Sequence, residues 1–250
     1  QLVFDYYQQV PKLISQSMEG VLNHLPGLLA RQKLFFKAKR YIDQAKTPLP
    51  DRLQDYNFLH RHVGAEIFQA DFLQQINSER PLDILRETYH RPQQAKTLNR
   101  MLYMDWKTTL HDNDLVKVNK MCEMAGINVR YPLLSKEIID LSCKIPSADK
   151  LQAKALRKFY KESMKGFLPE KILNKPKHGF GLPFGVWLKD YQPLKELAYD
   201  SINSLKKRPY FKAEFLDHAV KMHKSIHAAY YGELIWILMM LELWFQGKNR

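Results

Sequence analysis

The chain has 250 residues, 45% hydrophobic and 12% aromatic; this is enough apolar material for one substantial core or two small ones. With 26% charged residues and no low-complexity tract, the composition excludes wholesale disorder. Lys and Arg number 39 against 26 Asp and Glu, a formal net charge of +13, but the basic residues are spread along the chain where a dedicated nucleic-acid reader concentrates them, which leaves an anionic ligand or a solvated basic surface.

In chain order, apolar residues at helical spacing predict helices over 11–24, 26–45, 52–60, 65–76, 81–89, 95–111, 115–125, 136–143, 151–164, 169–173, 184–188, 193–205, 212–223 and 230–245. Alternating strand-like segments are nearly absent, so the fold class is all-α. Prolines at positions 48, 50, 92, 132, 146 and 183 mark breaks, because proline lacks an N–H and clashes with the preceding helical turn. The last predicted helix carries the longest apolar run, Ile235 to Phe245, interrupted by Glu242. This run is well short of the roughly 20 residues needed to cross a bilayer and reads as a buried helix. Cys122 and Cys143 are too far apart for a CxxC motif and too few for a disulfide framework, which fits a reducing cytoplasm. No basic region precedes an apolar stretch at the N-terminus, so no signal peptide is expected.

One stretch is poor in helical pattern. Residues 173–183 read LNKPKHGFGLP, with Gly179 and Gly181 flanking Phe180 just after Lys177. Glycines let the backbone approach a ligand, and lysine supplies a mobile charge, a combination suited to phosphate or pyrophosphate. The same residues also suit a basic surface turn anchored by Phe180. A second segment, Asp105 to Ser135, places Lys117 and Lys120 on one helix face. They are candidates for an anion and equally for ion pairs with Asp114 or Glu123. His60 with His62, and His223 with His227, have spacings that invite a metal, but no acidic or cysteine ligand completes either set, and hydrogen-bonded or solvated histidines are the simpler reading. No GxSxG elbow supports a hydrolase triad.

Together these segments resemble the asparagine synthetase family. The run holding Lys117, Asn119-Lys120 and INVRYPLLS, with Arg130 and Pro132 in register, is similar to that family's pattern of a lysine, an Asp-Arg or Asn-Lys pair and a stretch reading roughly LExRxPFLD. KIPSADK, AKALRKFYKE, FLPEKIL and NKPKHGFGLPFGVWL follow in the family's order, and IWILMMLELWF resembles its last helix. The match is close over 101–190 and looser over 230–246, while residues 1–100 add little beyond helical character. The resemblance implies that the chain, residues 1–250, is the helical C-terminal portion of an α/β, adenine-nucleotide α-hydrolase-like (ATP pyrophosphatase) synthetase domain. It further implies an ATP- and Mg²⁺-dependent enzyme that adenylates a small carboxylate and transfers ammonia from glutamine. In that frame Lys177 contacts the ATP phosphates and stabilises charge developing in the reaction. Lys120 and Gly179 belong with it to the ATP and pyrophosphate site, Asn128 and Arg130 line the acceptor pocket, and Arg157 is structural.

Departures from the pattern are Asn128 in place of Glu, Ser135 in place of Asp and Glu123 in place of Met. A carboxamide cannot serve as a general base, and Asn128 and Ser135 together also fit an alternative, a catalytically degenerate synthetase-like scaffold or docking module. No two glycines are adjacent, so the SGGxDS pyrophosphate loop is not in this sequence, and neither are the Gly-Asp-Glu segment for Mg²⁺ and the glutaminase domain with its N-terminal cysteine. The expectation is a fragment that begins after those elements, inactive alone and dependent on them as partners.

Overall fold

The computed structural model describes residues 10, 41–54, 62–151, 157–176, 183–225 and 228–248, with side chains of the last helix from 231 onward. Among the described residues the structure is helical and contains no strand. The chain divides into two compact units, Gln1–Asp83 with Phe180–Arg250, and Ile84–Gly179.

In the first unit α1 (Gly64–Ile67) and α2 (Ala70–Gln75) replace the single helix expected over 65–76. The chain breaks at Phe68 because its backbone turns extended and forms an antiparallel bridge with Phe211. Gln69 N–H donates to the Tyr210 carbonyl and Lys212 N–H to the Ile67 carbonyl, each at 2.9 Å. Phe68, Phe72, Tyr210 and Phe211 pack ring to ring around the bridge at centroid distances of 5.1 to 5.4 Å. Of the helix expected over 52–60, the described part is a 3₁₀ turn, Asp51–Gln54. Helices expected over 11–24 and most of 26–45 lie outside the described residues; residues 41–46 are helical, one residue past the expected end.

The core of this unit is built from its C-terminal helices, here placed in chain order after α3 (Arg80–His90), α4 (Thr97–Asp105), α5 (Val116–Met124), α6 (Lys136–Lys144), α7 (Ser147–Lys150), α8 (Lys158–Ser163) and α9 (Glu170–Leu173). They are α10 (Phe184–Asp190), α11 (Gln192–Leu205), α12 (Ala213–Ser225) and α13 (Ala228–Lys248). Ala198, Ser201, Ile202 and Leu205 form one buried stripe on α11; Phe215, Leu216, Ala219 and His223 form another on α12. Both stripes and Leu188 of α10 close on Leu234, Ile235, Leu238 and Met239 of α13, whose other face leaves Met240 and Trp244 about half exposed. No helix is long and apolar enough to cross a membrane among the described residues.

Glu242 does not interrupt α13. It is 2% exposed, and Arg208 grips it with two bonds, Nε to Oε2 at 2.6 Å and Nη2 to Oε1 at 3.0 Å. The guanidinium also lies 4.5 Å from the Phe245 ring centroid. The bond from Arg208 holds the Glu242 carboxyl below its ordinary 4.5. A lowered folded-state value means that the pair's stabilisation is present above the ordinary carboxylate range and is lost as pH falls through the folded value. Glu242→Gln is therefore expected to lower the midpoint of thermal unfolding at neutral pH, with the gap from wild type narrowing in acid. Circular dichroism melts at about pH 7 and about pH 3 check this; a gap independent of pH contradicts it.

In the second unit α4 and α5 are not the ends of two helices. Trp106–Leu115 joins them as a π-helical stretch, with right-handed helical geometry at both junctions, Asp105 and Leu115. The break expected at residues 112–114 is absent; Asp and Asn favour turns without forbidding helix, and neither Pro nor Gly lies between Ala95 and Ala125. The helix expected over 151–164 is also shorter. Arg157 has φ 60, a left-handed residue that cannot continue a helix, so α8 begins at Lys158, while residues 152–156 lie outside the described set. The short α7 was not expected.

Candidate functional site

Helix α5 carries Lys117 and Lys120 and ends because Gly126 adopts φ 68. Ile127 N–H donates to the Cys122 carbonyl at 2.8 Å and Gly126 N–H to the Glu123 carbonyl at 3.1 Å, so two otherwise orphaned helix carbonyls are satisfied. Nothing lies within 4 Å of a Cβ built on Gly126, so the backbone angle, and not crowding, calls for glycine there.

Past this turn the chain runs without regular structure through Asn128, Val129 and Arg130, all exposed. Tyr131 then donates its hydroxyl to Asn119 Oδ1 at 2.9 Å. That bond ties the residue beside Arg130 to the residue beside Lys120. It closes one loop, residues 119–131, which holds three of the candidate residues: Lys120, Asn128 and Arg130. Composition gave no sign of this tie; the only signal was an aromatic hydroxyl shortly after a glycine-terminated helix.

The charges in this loop are solvated. Lys120 Nζ donates to Glu123 Oε2 at 2.7 Å, and Lys117 pairs with Asp114 at 3.0 Å, the pairings the sequence left open. Both partners in the first pair are about two-thirds exposed, at 67% and 68%. The Lys120 bond and charge hold the Glu123 carboxyl below its ordinary 4.5. Such exposed pairs contribute little to stability, so an arriving anion can take Lys120 from Glu123 at small cost. Arg130 has no ion-pair partner among the described residues.

Ser135, one of the departures noted in the sequence, is the N-cap of α6. Its side chain accepts from Ile138 N–H at 3.5 Å. The Glu137 carboxylate accepts from its own backbone N–H and from the Ser135 hydroxyl, both of which keep its pKa below 4.5. Serine and aspartate cap helices about equally well, so this local role survives either residue. Ser135→Ala is expected to cost about 1 kcal/mol and Ser135→Asp to stay within about 0.5 kcal/mol of wild type. Urea denaturation of the three proteins checks this, and equal losses for both substitutions contradict it.

Lys177, Gly179 and Phe180 lie outside the described residues. Before them, α9 is followed by Asn174, whose Nδ2 donates to Glu170 Oε2 at 3.0 Å, and Leu173 is buried at 5% exposure. After them, Pro183 precedes α10, and the Phe184 ring sits 5.2 Å from that of Trp236. Arg157, expected to be structural, occupies the left-handed position in front of α8.

Only one histidine of each pair, His62 and His223, lies among the described residues. His62 Nδ1 lies 3.4 Å from Glu66 Oε2, and His223 is fully buried and bonded on both ring nitrogens; His60 and His227 lie outside the described residues. Among the described residues no group of three or more His, Cys, Asp or Glu side chains is placed to hold a metal ion. Cys122 and Cys143 are free thiols.

The asparagine synthase family model matches residues 18–246. It therefore extends well into residues 1–100, where the residue pattern carries little beyond helical character. The chain is 24% identical over 237 residues to asparagine synthetase [glutamine-hydrolyzing] 1 of Bacillus subtilis, covering 92% of this chain and 35% of that protein. It is 21% identical over 220 residues to putative asparagine synthetases [glutamine-hydrolyzing] of Mycobacterium bovis and Mycobacterium tuberculosis, covering 82% of this chain and 33% of each. The chain thus spans about a third of the length of these relatives. No solved structure matches it. A helical architecture, the ordered motifs from Lys117 to Trp187 and a family match over most of the sequence agree, and the chain belongs to the asparagine synthase family.

Proposed function

We propose that this chain is the helical C-terminal part of a glutamine-dependent amidotransferase that activates a carboxylate with ATP and converts it to an amide. The observation that carries this reading is the family match over residues 18–246, which takes in both the Lys120 to Arg130 loop and the Lys177 loop. In the proposed reaction a carboxylate oxygen attacks the α-phosphorus of ATP and pyrophosphate leaves. Ammonia released from glutamine then attacks the acyl carbon, a proton is lost, and AMP departs with the bond to the acyl group. Lys177 is assigned to the phosphates, where its ammonium offsets charge as pyrophosphate separates. Gly179 lets the backbone beside it approach the nucleotide. Lys120 is a second phosphate ligand, and Arg130 and Asn128 line the acceptor pocket, Arg130 suited to a carboxylate through its planar fork. Mg²⁺ belongs to the family reaction implied by the resemblance, and among the described residues no cluster of three or more His, Cys, Asp or Glu fits it.

The partners in this reading are a pyrophosphate-binding loop and a glutaminase domain of the same protein. Nine large apolar side chains between Val116 and Leu141 are exposed, among them Met121 at 62%, Met124 at 81% and Leu133 at 65%. Exposed apolar surface of that extent suits packing against further polypeptide. The two free thiols suit a reducing cytoplasm.

The test is whether the full-length protein forms AMP, pyrophosphate and an amide when given ATP, glutamine and a panel of small carboxylates, aspartate included. Formation of all three supports the reading. ATP binding without turnover on any acceptor instead favours the scaffold alternative, to which Asn128 lends itself because a carboxamide cannot take up a proton.

A further inference from the structure

Tyr131 is held at both ends. Pro132 bars the residue before it from the helical region, and the Tyr131 backbone lies at φ -122 and ψ 82. Its carbonyl accepts from Leu134 N–H at 2.9 Å, in the 3₁₀ turn Pro132–Leu134 that leads into α6. Its hydroxyl reaches the other way, to Oδ1 of Asn119 on α5 at 2.9 Å. One residue therefore joins α5 to the turn ahead of α6. The residues before it have no such anchors: among the described residues, 128–130 make no hydrogen bond. They run between two fixed points, the Ile127 amide on the Cys122 carbonyl at 2.8 Å and Tyr131 itself.

We propose that Tyr131 is a positioning residue for Arg130: its hydroxyl, bonded to Asn119, holds the Arg130 end of the loop against α5 and so sets where the guanidinium meets the acceptor carboxylate. The consequence for the reaction rests on the assignment of Arg130 to the acceptor pocket above.

A planar trans peptide keeps adjacent Cα atoms about 3.8 Å apart, so whatever fixes Tyr131 also fixes the backbone at Arg130. A guanidinium recognises a carboxylate through two parallel bonds, which makes the contact sensitive to where its backbone starts. Lys120 is placed differently. It lies within α5, and the helix's own backbone bonds keep it in position whether or not the tie is made. Loss of the Tyr131 hydroxyl is therefore felt on the acceptor side of the reaction and not on the nucleotide side. A hydrogen bond of this kind shifts a local equilibrium by about two- to tenfold.

The experiment compares full-length wild type, Tyr131→Phe, Asn119→Ala and the double variant. Phenylalanine keeps the ring and removes the donor; alanine at 119 removes the acceptor and leaves Arg130 and Tyr131 unchanged. The first readout is the rate at which trypsin cuts the Arg130–Tyr131 bond in the folded protein, followed by mass spectrometry. Cleavage requires the loop to leave its place, and it needs no turnover. Each single variant is expected to be cut about two- to tenfold faster than wild type, and the double variant no faster than either, because the two side chains act through one bond. The second readout is steady-state kinetics with the carboxylate that turns over, aspartate being tried first. KM for that acceptor should rise by about two- to tenfold in each variant while KM for ATP stays within about twofold. A loss of stability alone lowers the amount of active enzyme and moves neither KM. Wild-type cleavage rates in both single variants, effects that multiply in the double variant, or a KM for ATP that rises with that for the acceptor each overturn the proposal. If wild type forms no amide from any acceptor, the assignment of Arg130 fails and the role in the reaction with it, while the cleavage rates still decide whether Tyr131 holds the loop.

Discussion

On the proposed assignment of Lys177, Lys177→Ala in the full-length protein is expected to cut ATP-dependent amide formation by about a hundred- to a thousandfold, the range seen when a preorganised group facing developing charge is removed. The physical reason is that adenylation and the departure of pyrophosphate both gather negative charge on oxygen. An ammonium already in place stabilises that charge without waiting for water to reorganise. Folding should be unaffected within about 0.5 kcal/mol, as for most substitutions that remove neither core volume nor a buried partner. Lys120→Ala should do less. Its ammonium is solvated and already shared with Glu123, so truncation mainly weakens ATP binding and appears in KM before kcat. Steady-state kinetics of both variants, with a circular dichroism melt for each, decide the matter; near-normal turnover by Lys177→Ala removes the lysine from catalysis.

Gly232→Ala is expected to destabilise the protein by roughly 2–4 kcal/mol, since overpacking a close-packed interior shifts backbone and side chains together. The added Cβ would lie 2.1 Å from Gly185 Cα, 3.1 Å from its carbonyl carbon and 3.3 Å from its nitrogen. All three are backbone atoms, so no side chain can swing away, and α10 must move off α13. Leu188, Leu234 and Ile235, each at most 1% exposed, then lose neighbours. Gly247→Ala supplies the control within the same helix. Nothing lies within 4 Å of a Cβ there, so alanine should be neutral or better by a few tenths of a kcal/mol through helix propensity. Urea titration of both variants checks the contrast, and similar midpoints refute it.

What could be read from residue order alone follows the range of the forces involved. The stripes on α11 and α12 and the apolar length of α13 were legible because helical periodicity is local. Phe68 was not, since its break depends on an exchange of backbone bonds with residues 210–212, and no local pattern marks it. Glu242 looked like a flaw in an apolar run until Arg208, 34 positions away, supplied its partner. The π-helical joint carried a readable sign in its lack of Pro and Gly, which weighs more than a cluster of Asp and Asn. In the candidate site, motif spacing singled out Lys120, Asn128 and Arg130 as candidates, but the Tyr131 to Asn119 tie and the capping role of Ser135 depend on how the chain doubles back. His223 was legible as a histidine, and the bonds to both its ring nitrogens were not.

The uncovered methionines and leucines between Val116 and Leu141 set how this polypeptide behaves as a colloid whenever nothing shields them. Its formal charge of +13 keeps separate molecules apart by mutual repulsion, while the apolar surface favours adhesion once they touch. Repulsion reaches only about 10 Å at 0.1 M salt and about 3 Å at 1 M. Added salt therefore removes the barrier and leaves the adhesive surface intact, so self-association of the isolated chain rises with ionic strength.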